Sequence, residues 1–449
     1  MALPRQITFA PHGHVLTNAN VWSHDGRWIV FDVRSDPAGS RFDGSRIERV
    51  DVETGRVQTV YESNEGACCG VATCHLREEK VVFIRGPQRP TAEWSYGISR
   101  REGVVVDIPS GAATNLDARD LMPPFTPGAL RGGTHVHMFS GDGQWVSFTY
   151  DDHVLEEQDR AEDGRNPGTS NDQLRPRRDI NQRNVGVSVP SRSVIVPRTH
   201  PRNHDGTHFS VLVTRTVNEP TPGSNEISRA FEDAWVGVDG YVRADGSRQK
   251  RALAFQGQVV AADGRSFAEA FIVDIPDDVA QPGDAPLQGT PTRRPAPPRG
   301  TVQRRLTDTS SRRFPGIQGP RHWLRSSPDG SRIALLMKDD AGVVQIWTIS
   351  PRGGEPKQLT RDPWSVASAF TWSSDGRFIA YIADGSIFIA GATTGDTRRL
   401  TKRIDDATQP RPEACVISPQ GNRIAYVRTV PTQGTPWNQI FVADTEIAS

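Results

Sequence analysis

The sequence predicts an all-β protein, a seven-bladed β-propeller of four-stranded antiparallel blades whose ring is closed by the N-terminal strand. Three observations predict it. Strand–turn–strand segments recur at fixed spacing near the C-terminus, with turn glycines Gly330, Gly376 and Gly421 lying 46 and 45 residues apart. Each is followed by a third apolar strand, VVQIWTIS, SIFIAGA or NQIFVAD, and two by a fourth, PKQLT or TRRLT, which gives the four strands per roughly 45 residues of a propeller blade. The last repeat runs out at Ser449 with three strands, while an unmatched RQITF of the same outer-strand pattern stands at the N-terminus. An exposed sheet edge is a liability, so residues 5–10 are expected to complete the last blade.

Taken in order, VWSHDGRWIVFDVR and RIERVDVETGRVQTV fill blade one, over about 12–63, with the Asp25-Gly26 turn supplying the positive φ a tight hairpin needs. VATCHLREEKVVFIRG and GVVVDIPSGAATNL form blade two, about 64–118. HVHMFSGDGQWVSFTYDD opens blade three, about 130–198, which ends in NVGVSVP and SVIVP. HFSVLVTRTV, ALAFQGQVV, AEAFIVDIP and VQRRLT make blade four, about 200–308. The three clear repeats are blades five to seven, about 315–361, 362–402 and 405–445, so the whole chain is one domain.

Two stretches interrupt this pattern. Residues 154–180 are polar and irregular and read as a long flexible loop. In the 217–250 insertion, GSNEISRAFEDAWVG carries Ile227, Ala230, Phe231 and Ala234 at helical spacing and reads as one short amphipathic helix.

Composition bounds the function. Lys and Arg total 53 against 53 Asp and Glu, so the net charge is zero, which argues against nucleic acid and against bulk attraction to anionic membranes. The N-terminal MALPRQITFAPHG lacks the apolar core of a signal peptide, so the expected location is cytoplasmic, or periplasmic if a leader is removed. Cys68, Cys69, Cys74 and Cys415 are too few for a disulfide framework and read as reduced, buried thiols. P-loop, G-x-S-x-G and H-E-x-x-H motifs are missing, which removes support for nucleotidases, serine hydrolases and zinc proteases.

Propeller geometry then sieves the remaining polar residues. Side chains just before each inner strand, and those between second and third strands, converge on one mouth of the central channel. The sieve collects His12, His14, Arg131, His135, His137, His204, His208, Arg321 and His322, and adds Arg34, Arg85, Tyr150, Asp152, His153, Lys338 and Asp340. Eight of the eleven histidines fall there. In Thr134-His135-Val136-His137 the two imidazoles are i and i+2 on a strand, which ordinarily point the same way and can chelate one ion. With His208 they are expected to hold a divalent metal such as manganese, iron, zinc or calcium; the competing reading is histidines that only hydrogen-bond in a polar channel. Trp323 is placed to stack on a sugar ring.

The repeated SPDG-type hairpins followed by RIAY strands resemble TolB-type propeller repeats. THVHMFSGDGQWVSFTYDD and HVLTNANVWSHDGRWIVFD are similar to segments of oligogalacturonate lyases, and QITFAPHGHVLTNANVW, LRGGTHVHMFS and PRHWLRSSP resemble a family of YidR-like bacterial proteins along the whole chain. The lyase resemblance implies a manganese ion at His135 and His137. It points to an enzyme, a metal-assisted lyase acting by β-elimination on a uronate-containing oligosaccharide. In that reading His14, His322, Tyr150 and Arg321 carry acid, base or charge-neutralising roles, and Arg131, Asp152 and Trp323 hold substrate. The alternatives are a non-catalytic propeller binding a protein or glycan at the same mouth, and a metal-dependent sugar hydrolase, lactonase or isomerase.

Overall fold

The computed structural model describes residues 3–163, 178–432 and 434–445. Seven four-stranded antiparallel sheets pack side by side around a central channel, each touching the next and the seventh touching the first. Blade one comprises Gly13–Val15, Trp28–Arg34, Arg46–Asp51 and Val57–Glu62, and blade two Cys69–Cys74, Lys80–Arg85, Glu102–Asp107 and Ala112–Asn115. Blades five and six follow the sequence repeats, with inner strands Arg325–Ser326 and Thr371–Trp372. Blade seven runs Pro410–Ile417, Arg423–Thr432 and Thr435–Asp444, and its fourth strand is Arg5–Gln6. Arg5 pairs with Val442 and Gln6 with Phe441, and Ile7 N–H donates to the Ile440 carbonyl at 2.9 Å. The ring therefore closes through the N-terminal strand, which satisfies the edge that the C-terminal repeat leaves open.

The turn ending each inner strand has its own chemistry. In Ser23–Gly26, Ser140–Gly143, Ser327–Gly330 and Ser373–Gly376, the serine hydroxyl donates to the aspartate two residues on, and the glycine adopts positive φ, from 68° to 78°. The glycine is required there because any Cβ is strained at that φ. Apolar side chains from facing blades interleave to form the core; Ile7, Val21, Phe31, Val416 and Val442, for example, join blades one and seven.

Blades three and four differ from the sequence expectation. The outer strand of blade three is Phe209–Leu212, paired with Asn184–Val189, and not SVIVP, of which Val194 makes only an isolated bridge to Gly206. The inner strand of blade four is Ala230–Trp235, the segment expected to be helical, followed by Ala252–Val260, Ser266–Asp274 and Val302–Arg305. The cause is a β-bulge. Register shifts between Phe231 and Ala234, and Glu232 sits at φ 57°. One extra residue inside a strand turns a two-residue alternation into a three-residue step, which mimics helical spacing.

The single α-helix among the described residues, His153–Asp163, lies where an irregular loop was expected. Asp152 Oδ1 caps it by accepting from Leu155 N–H at 3.0 Å, Leu155 is fully buried, and Arg160 pairs with Glu156 one turn back at 2.7 Å. The rest of that expected loop, 164–177, lies outside the described residues.

Candidate functional site

Inner strands set the geometry of the channel, and four of them share one distortion. Asn20, Val71, Val136 and Glu232, in blades one to four, all stand at φ between 52° and 59°. For β-branched Val71 and Val136 this is a strained position. The bulge rotates the side chains on either side of it, so residues two apart no longer share a face.

His135 and His137 flank Val136, and the register of blade three breaks between His135 and Met138. His135 faces the channel, on the wall of a cavity of about 440 Å³ at the mouth, where Asn18, Arg34, Arg321, Trp323 and Arg411 also stand. His137 is fully buried and turns towards blade two. Its Nε2 and Asp117 Oδ1 both lie 2.6 Å from the point a Cβ on Gly103 would occupy. His208 lies at the outer rim beside blade two, its backbone N–H on the Leu116 carbonyl and its Nδ1 2.9 Å from Thr207 Oγ1. The expected metal set of His135, His137 and His208 is therefore not brought together. Among the described residues no three His, Cys, Asp or Glu side chains stand close enough to hold a metal ion. The donors present do not fit the divalent ion that the lyase resemblance implies.

Burial accounts for the charge state of these rings. His137 is held down at about 3 and His208 at about 4 by desolvation of the charged form. His135 is held well below the ordinary value by burial and by the charges of Arg101 and Arg183. All three are neutral imidazoles at neutral pH, and Nδ1 of His135 has no hydrogen-bond partner.

Other expected site residues are structural. His14 is buried between blades one and seven, stacked on His12 at 4.5 Å, with Nδ1 3.0 Å from the Asn438 carbonyl, and burial holds it at about 3. Tyr150 is buried among Leu130, Phe148 and Leu212, and desolvation raises its phenol well above the ordinary value. Arg131 is spent on Asp152 at 2.7 Å and on the carbonyls of Thr290 and Arg293, tying blade three to an insertion of blade four, while Asp152 caps the helix. These residues precede or end strands as the sieve requires, but they point between blades instead of into the channel.

Arg321, His322 and Trp323 remain. They lie just ahead of the inner strand of blade five, and all three are partly exposed. Arg321 makes no hydrogen bond or ion pair among the described residues, although Arg34 and Arg411, across the cavity, are held by Asp32 and Glu413. His322 Nδ1–H donates to Glu232 Oε2 at 2.7 Å, and Gln256 Nε2 donates to that same carboxylate and, at 2.8 Å, to the His322 carbonyl. A carboxylate on Nδ1 fixes the ring and leaves Nε2 to act. The bulge at Glu232 delivers this partner, which sequence reasoning missed because the segment read as helix. Phe42, whose ring lies 4.5 Å under the Arg34 guanidinium, and the pair Arg411 and Glu413 were missed as well. The rule that selects residues ahead of each inner strand, carried on to blade seven, would have found the latter two.

Arg325 of blade five reaches the non-adjacent blade one, where its Nη2 donates to Asn18 Oδ1. Asn18 lines the mouth cavity and Arg325 lines a second cavity at the hairpin end, so this bond links the walls of two cavities that have no lining residue in common.

Comparison with known proteins decides the family. The family model described as a protein of unknown function, DUF3748, matches residues 68–204. The chain is 46% identical to the uncharacterized protein YidR of Escherichia coli strain K12 over 427 residues, 94% of each chain. It belongs to the YidR family. Two solved structures share the fold of this YidR-family protein across nearly its whole length. An oligogalacturonate lyase in complex with manganese has a TM-score of 0.52 at 11% identity, covering 99% of this chain and 96% of the lyase. The oligogalacturonate lyase of Vibrio parahaemolyticus has a TM-score of 0.51 at 10% identity, covering 98% and 93%. At such identities the likeness is one of fold. Among the described residues of this YidR-family chain, no helix is long and apolar enough to cross a membrane.

Proposed function

We propose that the mouth cavity binds a uronate-bearing oligosaccharide and that the protein cleaves it by β-elimination. The observation that carries this reading is Arg321, a guanidinium on the wall of a sugar-sized cavity that no carboxylate among the described residues pairs with, two residues from the indole of Trp323. A uronate carboxylate would occupy it, and Trp323 would stack on the ring. Neutralising that carboxylate acidifies the C5 proton, the largest barrier in elimination. His322, oriented by Glu232, is the base that takes the proton from C5. The electron pair forms the C4–C5 double bond, the C4–O bond breaks, and the leaving oxygen takes a proton from solvent or from a group on the wall. His135, held neutral, accepts a hydrogen bond from a sugar hydroxyl through Nδ1. The fold shared with oligogalacturonate lyases supports the substrate class without assigning any residue.

Incubation with a panel of 4-linked uronate oligosaccharides tests the reading: an unsaturated product absorbing in the ultraviolet is expected, and its absence across the panel would overturn elimination. A second reading, binding without turnover at the same mouth, is favoured by the withdrawal of Tyr150 and His14 from the cavity. It predicts saturable, Arg321-dependent binding with no product.

A further inference from the structure

The opposite end of the channel holds a different kind of cavity. About 350 Å³ in volume, it is walled by Trp22, Met138, Trp235 and Trp372, and the buried Asp233 and Arg325 also line it. The tryptophans are fixed: Nε1–H of Trp22, Trp235 and Trp372 donates to the Val416, Met138 and Arg325 carbonyls of the neighbouring blades at 2.9, 2.9 and 3.0 Å. The rim is exposed and apolar, with Leu76 38% and Val238 50% accessible.

Two charges of opposite sign are left over inside it. Asp233 is only 3% exposed, yet its Oδ2 has no hydrogen-bond partner. Arg325 is 8% exposed, forms no ion pair within 4 Å among the described residues although the charges of Asp233 and Glu232 act on it, and keeps Nε without a partner after spending Nη1 and Nη2 on Leu324 and Asn18. Buried charges are normally paired and buried polar atoms bonded. Burial accordingly pushes Asp233 up to about 6 and Arg325 down to about 10. A simple anion entering here meets Asp233, and a simple cation meets Arg325; each suffers like-charge repulsion. A ligand carrying both signs on neighbouring atoms satisfies both groups.

We propose that this cavity binds a small zwitterion with an apolar body, a free hydrophobic α-amino acid, with its ammonium on Asp233, its carboxylate on Arg325 Nε and its side chain against the tryptophans. The volume is at the lower end of ligand pockets, roughly 300–1,000 Å³, and suits one such molecule. The inference is independent of the sugar reading, because no residue lines both cavities.

Calorimetric titration and tryptophan fluorescence with L-phenylalanine test it, with phenethylamine and 3-phenylpropionate as probes that carry only one charge. L-Phenylalanine is expected to bind saturably, both analogues at least 10-fold more weakly, and Asp233→Asn to weaken L-phenylalanine by a similar factor while Arg321→Ala leaves it unchanged. Val238→Trp, on the exposed rim, narrows the opening without touching the core and is also expected to weaken binding. No saturable signal with L-phenylalanine, equal affinity for either analogue, or undiminished binding by both variants would overturn the proposal.

Discussion

The two ends of the channel are built from the same seven inner strands and differ in how they treat charge. At the mouth, Arg34 and Arg411 are neutralised by Asp32 and Glu413, and Arg321, near Trp323, has no ion-pair partner among the described residues. At the hairpin end the wall is indole and the two leftover charges, on Asp233 and Arg325, have opposite signs. The difference teaches that position along an inner strand, relative to its bulge, decides which chemistry a blade offers to which end. Glu232 stands at the bulge and holds His322, between the mouth residues Arg321 and Trp323 in sequence, whereas Asp233, one residue on, lines the other cavity.

The largest expected effect is at the mouth. Arg321→Ala removes the group proposed to meet a uronate carboxylate and should lower kcat/KM on uronate oligosaccharides by about 100-fold, with no change in L-phenylalanine binding at the hairpin end. Loss at both ends would mean the two cavities are not separate.

The next prediction uses pH. Asp233 has a folded pKa raised to about 6 from an ordinary 3.8, so the stability it contributes is present below 3.8 and lost as pH rises through 6. Asp233→Asn should therefore match the parent near pH 4 and exceed it near pH 8, by up to about 2–3 kcal/mol, read from denaturant unfolding at each pH. His135 has the opposite sign: its folded pKa is depressed, so its contribution is present above 6.5 and is lost as pH falls below that value. His135→Gln should flatten the acid limb and leave the alkaline limb alone. Identical pH profiles for the two variants would erase the contrast.

Smaller effects sharpen it. Trp323→Ala should weaken saccharide binding about 10-fold through lost stacking, mainly in KM, which product formation at varied substrate concentration would show. Trp372→Phe removes one hydrogen bond between blades six and five and should cost about 1 kcal/mol of stability without altering saccharide binding.

The ring was legible in the sequence because Ser-x-Asp-Gly turns and alternating strands are local signals, and closure by the N-terminal strand follows from counting strands, though the register that pairs Gln6 with Phe441 does not. The site was legible only in part. Arg321, His322 and Trp323 lie ahead of a regular strand, where the sieve works. His135 and His137, and the Ala230–Trp235 strand, were misread for one reason: a bulge breaks the two-residue alternation on which both readings relied. Nothing in Val136 or Glu232 as residue types announces a positive φ, since glycine or asparagine is what such a position favours. The exchange of Phe209–Leu212 into blade three had a different origin, because an apolar strand carries no mark of whether it is innermost or outermost.

The most direct measurement is a calorimetric titration of the protein with a trimer of galacturonate and with the matching neutral galactose trimer, repeated on Arg321→Ala. Saturable binding of the acidic trimer alone, lost in the variant, is the predicted result. Equal binding of the neutral sugar, or an acidic-sugar affinity that survives the loss of Arg321, would contradict the assignment of the mouth as a uronate site.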